Sequence, residues 1–394
     1  MENFTFYSPT YFSFGDGAES QAADLVRRFG GSKVLIHYGG GSVMRNGVYD
    51  KVTSALSAGN IPFVSLGGVQ PNPRASLVYE GIRLCRAESV DFILAIGGGS
   101  TIDSSKAIAA GVPYDGDFWD FVTGRAHLSA TLPVGTVLTI SAAGSEGSNS
   151  CVITKDEGML KWAFPGNDLL RPKFSILNPR FTCSLPPYQT ACGITDMMAH
   201  ILERYFTNTP EVEVTDRLCE GLLKAVLHAA GEVMADPQSY SARSDLMWAG
   251  MLAHNNLCGV GREQDWASHR IEHELSAVYD CAHGAGLAVI MPAWMEYVLP
   301  HDPARFAQFA VRVWGCEMDY SHPERTAREG IARFRAFLRS IGMPTNFREL
   351  GAREEDIPKI MEHERLKGEV HEGHFVPLGD ADVETILRLA ARSN

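Results

Sequence analysis

The sequence predicts an α/β domain built on a parallel sheet over residues 1–182, followed by an all-α domain over residues 183–394. Three observations carry this. Short, near-continuous apolar runs alternate with amphipathic stretches up to about residue 180, as strands buried on both faces require. Beyond about residue 182 the strand signals nearly vanish and long segments with helical spacing take over. The stretch from Phe181 to Pro187 ends in Leu185-Pro186-Pro187, and a double proline continues neither a helix nor a central strand. The chain has 394 residues, against about 100–200 for a typical domain, which agrees with two domains.

Taken in order, Val34 to Tyr38 reads as a strand that meets Gly39-Gly40-Gly41-Ser42, and a helix-like segment then runs through Leu56. Ile61 to Leu66 is the next strand, followed by Pro71-Asn72-Pro73 and a helix from Ala75 to Glu88. Phe92 to Ile96 enters Gly97-Gly98-Gly99-Ser100 and a helix from Thr101 to Ala110. In the second half, Val214 to Met234, Arg243 to Leu257 and Arg325 to Ile341 carry apolar residues at helical spacing, punctuated by Pro237, Pro292, Pro300 and Pro344.

Lys and Arg number 35 against 47 Asp and Glu, a net charge of −12 spread along the chain, which excludes a general nucleic-acid binder. The eight cysteines form no C-x-x-C pair and read as reduced thiols, which places the expected home in the cytoplasm. The start, Met-Glu-Asn-Phe-Thr-Phe-Tyr, has no signal-peptide pattern. The longest stretch without charged side chains, Ala126 to Ser145, contains Pro133 and Gly135, so no membrane association is expected.

Each Gly-Gly-Gly-Ser turn lies where a strand gives way to a helix. There glycine lets a ligand approach the backbone, and the N–H groups of a helix start favour phosphate. Neither turn is G-x-G-x-x-G, since Met44 and Ile102 stand where the third glycine belongs, and no P-loop is present. Gly39, Gly40, Gly41, Ser42, Gly97, Gly98, Gly99, Ser100 and Asp103 are therefore candidates for a nicotinamide dinucleotide. The first strand ends without a carboxylate for a ribose 2′-OH and has Arg45 nearby, which points to NADP over NAD.

Asp196 and His200 stand four apart in a helical segment, hence on one face. His269 and His273 repeat that spacing, and His283 follows. Arg270 replaces the glutamate of H-E-x-x-H, which excludes the zincin metalloproteases. These residues suggest a mixed Asp and His site for Zn²⁺ or Fe²⁺; spacing leaves open which of His269 and His273 binds the cation and which relays a proton. His254 is ambiguous, and His371 and His374 read as surface histidines.

With these motifs, and with Asn72-Pro73, Gly144-Ser145-Glu146, Leu185-Pro186-Pro187 and Asp265-Trp266-Ala267-x-His269-x-x-x-His273-Glu274, the chain resembles the iron-containing (group III) alcohol dehydrogenases over essentially its whole length, in the butanol dehydrogenase and aldehyde reductase branch. The resemblance implies the dehydroquinate synthase-like architecture and a homodimer. It assigns the metal to Asp196, His200, His269 and His283, places His273 near nicotinamide and substrate, and makes Lys161 a cofactor or substrate contact. Ala143 departs from the hydroxyl-rich turn of such relatives, leaving Thr139 and Ser145 as the expected cofactor contacts. The implied activity is hydride transfer between NAD(P)H and an aldehyde or primary alcohol at a metal lying in a cleft between the domains. The apolar Trp162 and Phe164 suggest an uncharged substrate. The rival reading is a lyase of the dehydroquinate synthase type, with no net redox change.

Overall fold

The computed structural model describes residues 1–366 and 372–392. The chain forms two compact units, one of Tyr7–Leu185 with Asp236–Asn255, the other of Met1–Phe6, Pro186–Ala235 and Asn256–Asn394.

The first unit holds the strands β1 (Tyr11–Phe14), β2 (Val34–Gly39), β3 (Phe63–Val69), β4 (Phe92–Gly97), β5 (Val134–Leu138), β6 (Val152–Lys155), β7 (Leu160–Ala163) and β8 (Phe174–Leu177). Six of them form a sheet in the order β1-β8-β5-β4-β2-β3, parallel throughout, while β6 and β7 make a separate antiparallel hairpin. Alternation along the strands assigns the two faces. Val34, Ile36, Phe92 and Leu94 pack with Val48, Val52 and Leu56 of helix Val48–Ala58, between β2 and β3. Leu35 and Ile93 pack on the other face with Val78 and Ile82 and with Ala107 to Ala110 of the helix that follows β4. Helices after the adjacent strands β2 and β4 thus cover opposite faces, which opens a crevice at the carboxyl ends of these two strands. Tyr38 pairs in register with Ile96, so both glycine turns leave the sheet at this crevice.

Helix Tyr240–His254 belongs to the same unit, although a single boundary near residue 182 assigns it to the helical half. Met247 is fully buried against Leu138 and Leu177, and Trp248 stands edge-on to Phe12 at 5.8 Å. The strands β1, β5, β6, β7 and β8 are only four or five residues long, too short for their apolar pattern to stand out from the surrounding loops.

The second unit is helical. Pro187 occupies the first turn of Pro187–Tyr205, a position where its missing N–H costs nothing, so the double proline starts a helix as well as ending the domain before it. Glu213–Ala235, Ala267–Tyr279, His283–Val298, Pro303–Trp314 and Pro323–Ser340 follow. His283–Val298 forms the centre, with Leu287, Ile290 and Trp294 fully buried. Among the described residues no helix is long and apolar enough to cross a membrane.

Candidate metal centre and cofactor cradle

In the sheet unit, β4 ends at Gly97 and helix Gly99–Gly111 begins at once, with Gly98 as its N-cap. The first-turn N–H groups of that helix have no partners within it and are available to a phosphate. A side chain at Gly98 would run into Ile140, so a larger residue there would have to displace Ile140. The backbone N–H of Thr139 donates to the Gly97 carbonyl at 3.0 Å, and a Cβ at Gly99 would lie 3.6 Å from that of Ala143. The segment from Thr139 to Ser145 therefore borders the second glycine turn. At the first turn, Gly39 and Gly40 lead to Gly41 and the short helix Ser42–Arg45. Arg45 is exposed, and a Cβ at Gly41 would lie 3.5 Å from its Nη1.

Asp103, on Gly99–Gly111, accepts from Ser145 Oγ at 2.5 Å and from the Val152 N–H at 3.0 Å. One turn on, the fully buried Lys106 donates to the carbonyls of Ser145, Ser148 and Ser150 at 2.7, 3.0 and 2.9 Å, and to the Ser145 and Ser148 hydroxyls at 2.9 and 3.1 Å. This pair of charges clamps the segment from Ser145 to Val152 onto the helix. Lys161 is buried on β7, opposite Thr154 of β6. Phe164 lies in the apolar core of the unit and Trp162 packs against Trp119 at 6.2 Å, so neither is evidence for an uncharged substrate; their apolar character is explained by packing.

In the helical unit, Pro187–Tyr205 carries Asp196, His200 and Glu203 along one face, and Ala267–Tyr279 carries His269, Glu272 and His273. His283 is the first residue of His283–Val298. Three imidazole nitrogens converge on one oxygen. The Nε2 atoms of His200, His269 and His283 lie 3.4, 3.7 and 3.8 Å from Asp196 Oδ1. Ligands held about 2.1 Å from a tetrahedral cation stand about 3.4 Å apart, so the spacing fits a shared ion. Asp196 Oδ1 and His269 Nε2 are buried and make no hydrogen bond, as expected of donor atoms reserved for a cation. Burial alone lowers the pKa of His269, but the Glu203 and Asp196 carboxylates raise it to about 9 when no cation is bound; a dication binding in the same negative surroundings takes the place of the Nε2 proton and leaves the ring a neutral ligand.

His273 is partly buried, its ring 5.6 Å from that of His283, in a group of possible ligands with Glu272 and His283. Asp196, His200 and His269 form the other such group. His254 lies in the sheet unit; His374 is in a bend with Nδ1 3.4 Å from Glu263, and His371 falls outside the described residues.

Residues 9–179 match the family described as iron-containing alcohol dehydrogenase, and residues 190–391 match the C-terminal domain described for the Fe-containing alcohol dehydrogenases. The chain belongs to this family. It is 41% identical to the probable NADH-dependent butanol dehydrogenase 1 of Bacillus subtilis, over 98% of this chain and 99% of the relative. It is 34% identical to the NADPH-dependent aldehyde reductase YqhD of Escherichia coli, with 100% of each chain covered. The crystal structure of the NADH-dependent butanol dehydrogenase A of Thermotoga maritima superposes with a TM-score of 0.96 at 40% identity, covering 100% of this chain and 99% of the other. This iron-containing alcohol dehydrogenase is accordingly a metal-dependent alcohol dehydrogenase or aldehyde reductase that works with NAD(P)H, and the lyase alternative is not favoured.

Three polar residues of this family member, Lys106, Glu203 and Glu272, gain their significance only from the contacts they make in the fold. Lys106 lies three residues after Asp103, Glu203 three after His200 and Glu272 three after His269, each on the helical face of a residue already singled out. That periodicity was the available signal.

Proposed function

We propose that this enzyme reduces aldehydes to primary alcohols with NADPH, holding Fe²⁺ or Zn²⁺ through Asp196, His200, His269 and His283. The observation that carries the proposal is the convergence of three Nε2 atoms on a buried Asp196 oxygen that makes no hydrogen bond. When bound, the cation supplies Lewis-acid polarisation of the substrate oxygen and the nicotinamide supplies the hydride. The chain supplies the rest. Asp196 contributes the negative charge and the histidines contribute neutral donors, which together keep a dication in place. His273, with its ring 5.6 Å from that of His283, holds the proton that the alcohol oxygen gains. Gly97, Gly98, Gly99 and Ser100 present N–H groups to the pyrophosphate, and Gly39, Gly40, Gly41 and Ser42 line the neighbouring turn. Asp103, Thr139, Ser145 and Lys161 are assigned to the cofactor side.

Arg45 supports NADPH, since it is an exposed cation at the first turn and no carboxylate ends that strand. The second reading, NADH, is favoured by the name of the relative that is 41% identical. Reconstitution with each metal, followed by kinetics of NADPH and NADH over a panel of aldehydes, tests the proposal. A clear NADH preference rejects the NADPH assignment, and a metal-free protein with full turnover rejects the metal assignment.

A homodimer is supported by the exposed edge strand β1, where Tyr11 and Phe14 stand 37% and 43% accessible. Light scattering of the eluted protein tests it. All eight cysteines are free, which supports a reducing compartment such as the cytoplasm.

A further inference from the structure

We infer that Glu203 and Glu272 are positioning residues of the metal centre, each holding the Nδ1 of a ligand imidazole so that the Nε2 lone pair is presented beside Asp196. The inference rests on the assignment of His269 and His283 as ligands.

Glu203 is fully buried and gives both oxygens to one residue. Oε1 accepts the backbone N–H of His269 at 3.0 Å and Oε2 meets its Nδ1 at 2.8 Å. An ionised carboxylate only accepts, so the ring proton belongs on Nδ1 and the lone pair on Nε2, the nitrogen that faces Asp196. The backbone contact fixes the carboxylate itself, which leaves the ring little freedom to turn.

The second pair repeats the arrangement from a different helix. Glu272, also fully buried, contacts His283 Nδ1 with Oε2, while its Oε1 accepts the Ser276 hydroxyl. Gly286, one turn into the helix that His283 begins, makes room for it: a Cβ there would stand 2.5 Å from Glu272 Oε1 and 3.0 Å from Cδ. A glycine is therefore needed on the His283 helix for the carboxylate of the neighbouring helix to reach the ring.

Glu272, His273 and His283 are close enough to be read as a second cation site. The geometry favours orientation instead, because the nitrogen of His283 that Glu272 engages is Nδ1, whereas Nε2 is the one near Asp196. Carboxylates behind metal-bound imidazoles fix the tautomer and ring angle and raise ligand basicity, and removing one weakens metal affinity by about 10- to 100-fold.

Glu203→Gln places an amide NH₂ against one of the two His269 donors, which either breaks a contact or moves the ring proton to Nε2. Zn²⁺ affinity measured by competition with a chromophoric chelator, metal stoichiometry, and the visible spectrum of the Co²⁺-substituted protein are the readouts, with apo-protein melting as the check on folding. Glu203→Gln and Glu272→Gln are expected to weaken Zn²⁺ binding about 10- to 100-fold at one cation per chain and to alter the Co²⁺ bands. Gly286→Ala is expected to reproduce Glu272→Gln. If one Gln variant fails to fold, Gly286→Ala decides for Glu272 and Glu203→Asp, which keeps the charge but withdraws it from the ring, decides for Glu203. Affinities within about twofold of the unmodified enzyme with unchanged Co²⁺ bands overturn the inference, as does a stoichiometry of two. Asp196→Ala separates the two levels: if it binds Zn²⁺ like the unmodified enzyme, the ligand assignment beneath the inference fails; if it alone loses Zn²⁺, only the positioning role fails.

Discussion

The ammonium group of Lys106 donates to the Ser145 carbonyl at 2.7 Å, and through this bond and four others it fastens the Ser145 to Ser150 segment to the helix that begins at the second glycine turn. Removing it leaves three backbone carbonyls without their charged donor. Because an unsatisfied buried acceptor costs about 1–3 kcal/mol, Lys106→Met is expected to lower stability by on the order of 3 kcal/mol. The same segment continues back to Thr139 beside Gly97, so the dissociation constant for NAD(P)H is expected to rise as well. Urea unfolding and nicotinamide fluorescence measure the two effects. Unchanged cofactor affinity in a destabilised variant would reduce Lys106 to a purely structural tie.

A second buried group gives a pH signature. His37 lies inside the sheet unit with Nδ1 2.8 Å from the Leu66 carbonyl and Nε2 2.8 Å from Ser104 Oγ, and burial pulls its pKa down from 6.5 to about 4. Between pH 6.5 and 4 the unfolded chain takes up a proton that the folded chain refuses, so this group makes stability fall as pH drops through that window. The loss is on the order of 3 kcal/mol. Glu146 acts in the opposite sense, since burial raises its pKa from 4.5 to about 7 and its contribution to stability declines as pH rises through that range. Comparing urea unfolding of the unmodified protein and His37→Gln at pH 7 and pH 4.5 isolates the histidine. The variant should lose less stability on acidification; equal slopes would show that His37 is protonated in the folded state.

Local turn chemistry and helical spacing are written into the sequence, whereas contacts between distant helices are made only by packing. Gly39 to Ser42 and Gly97 to Ser100 were legible because turn chemistry is local, and the β2, β3 and β4 strands because long apolar runs admit few alternatives. Asp196 with His200 was legible because helical spacing places them on one face. The partnership of Glu203 with His269 was not, since it joins two helices separated by 66 positions and depends on packing. Trp162 and Phe164 illustrate the reverse error. Aromatic residues fill cores and line pockets alike, and only their neighbours show that Phe164, stacked on Phe118, fills the core and that the half-buried Trp162, stacked on Trp119, packs against it.

Arg45 offers a test of cofactor choice. If its guanidinium meets the 2′-phosphate, Arg45→Ala should raise KM for NADPH about tenfold, equivalent to about 1.4 kcal/mol, and leave KM for NADH unchanged. Steady-state kinetics with one aldehyde at saturation suffices. Equal shifts for both cofactors, or none for either, would remove Arg45 from the cofactor site.

The metal assignment has a consequence for stability that does not depend on turnover. A cation that binds only the folded chain stabilises it by RT ln(1 + [M]/Kd), about 2.7 kcal/mol when the metal is present at 100 times its dissociation constant. Stripping it with a chelator should therefore lower the melting temperature of the unmodified enzyme by several degrees, and readdition of Zn²⁺ or Fe²⁺ should restore it. Asp196 Oδ1 is the atom on which His200, His269 and His283 converge, so Asp196→Ala should remove both responses together. The absolute melting temperature of that variant is uninformative, because deleting a buried carboxylate beside three imidazoles changes stability on its own account. The decisive quantity is the difference with and without chelator, recorded by scanning calorimetry. An Asp196→Ala protein whose melting still shifts with chelator as far as the unmodified enzyme holds its cation by other groups, and Asp196 would then be no ligand.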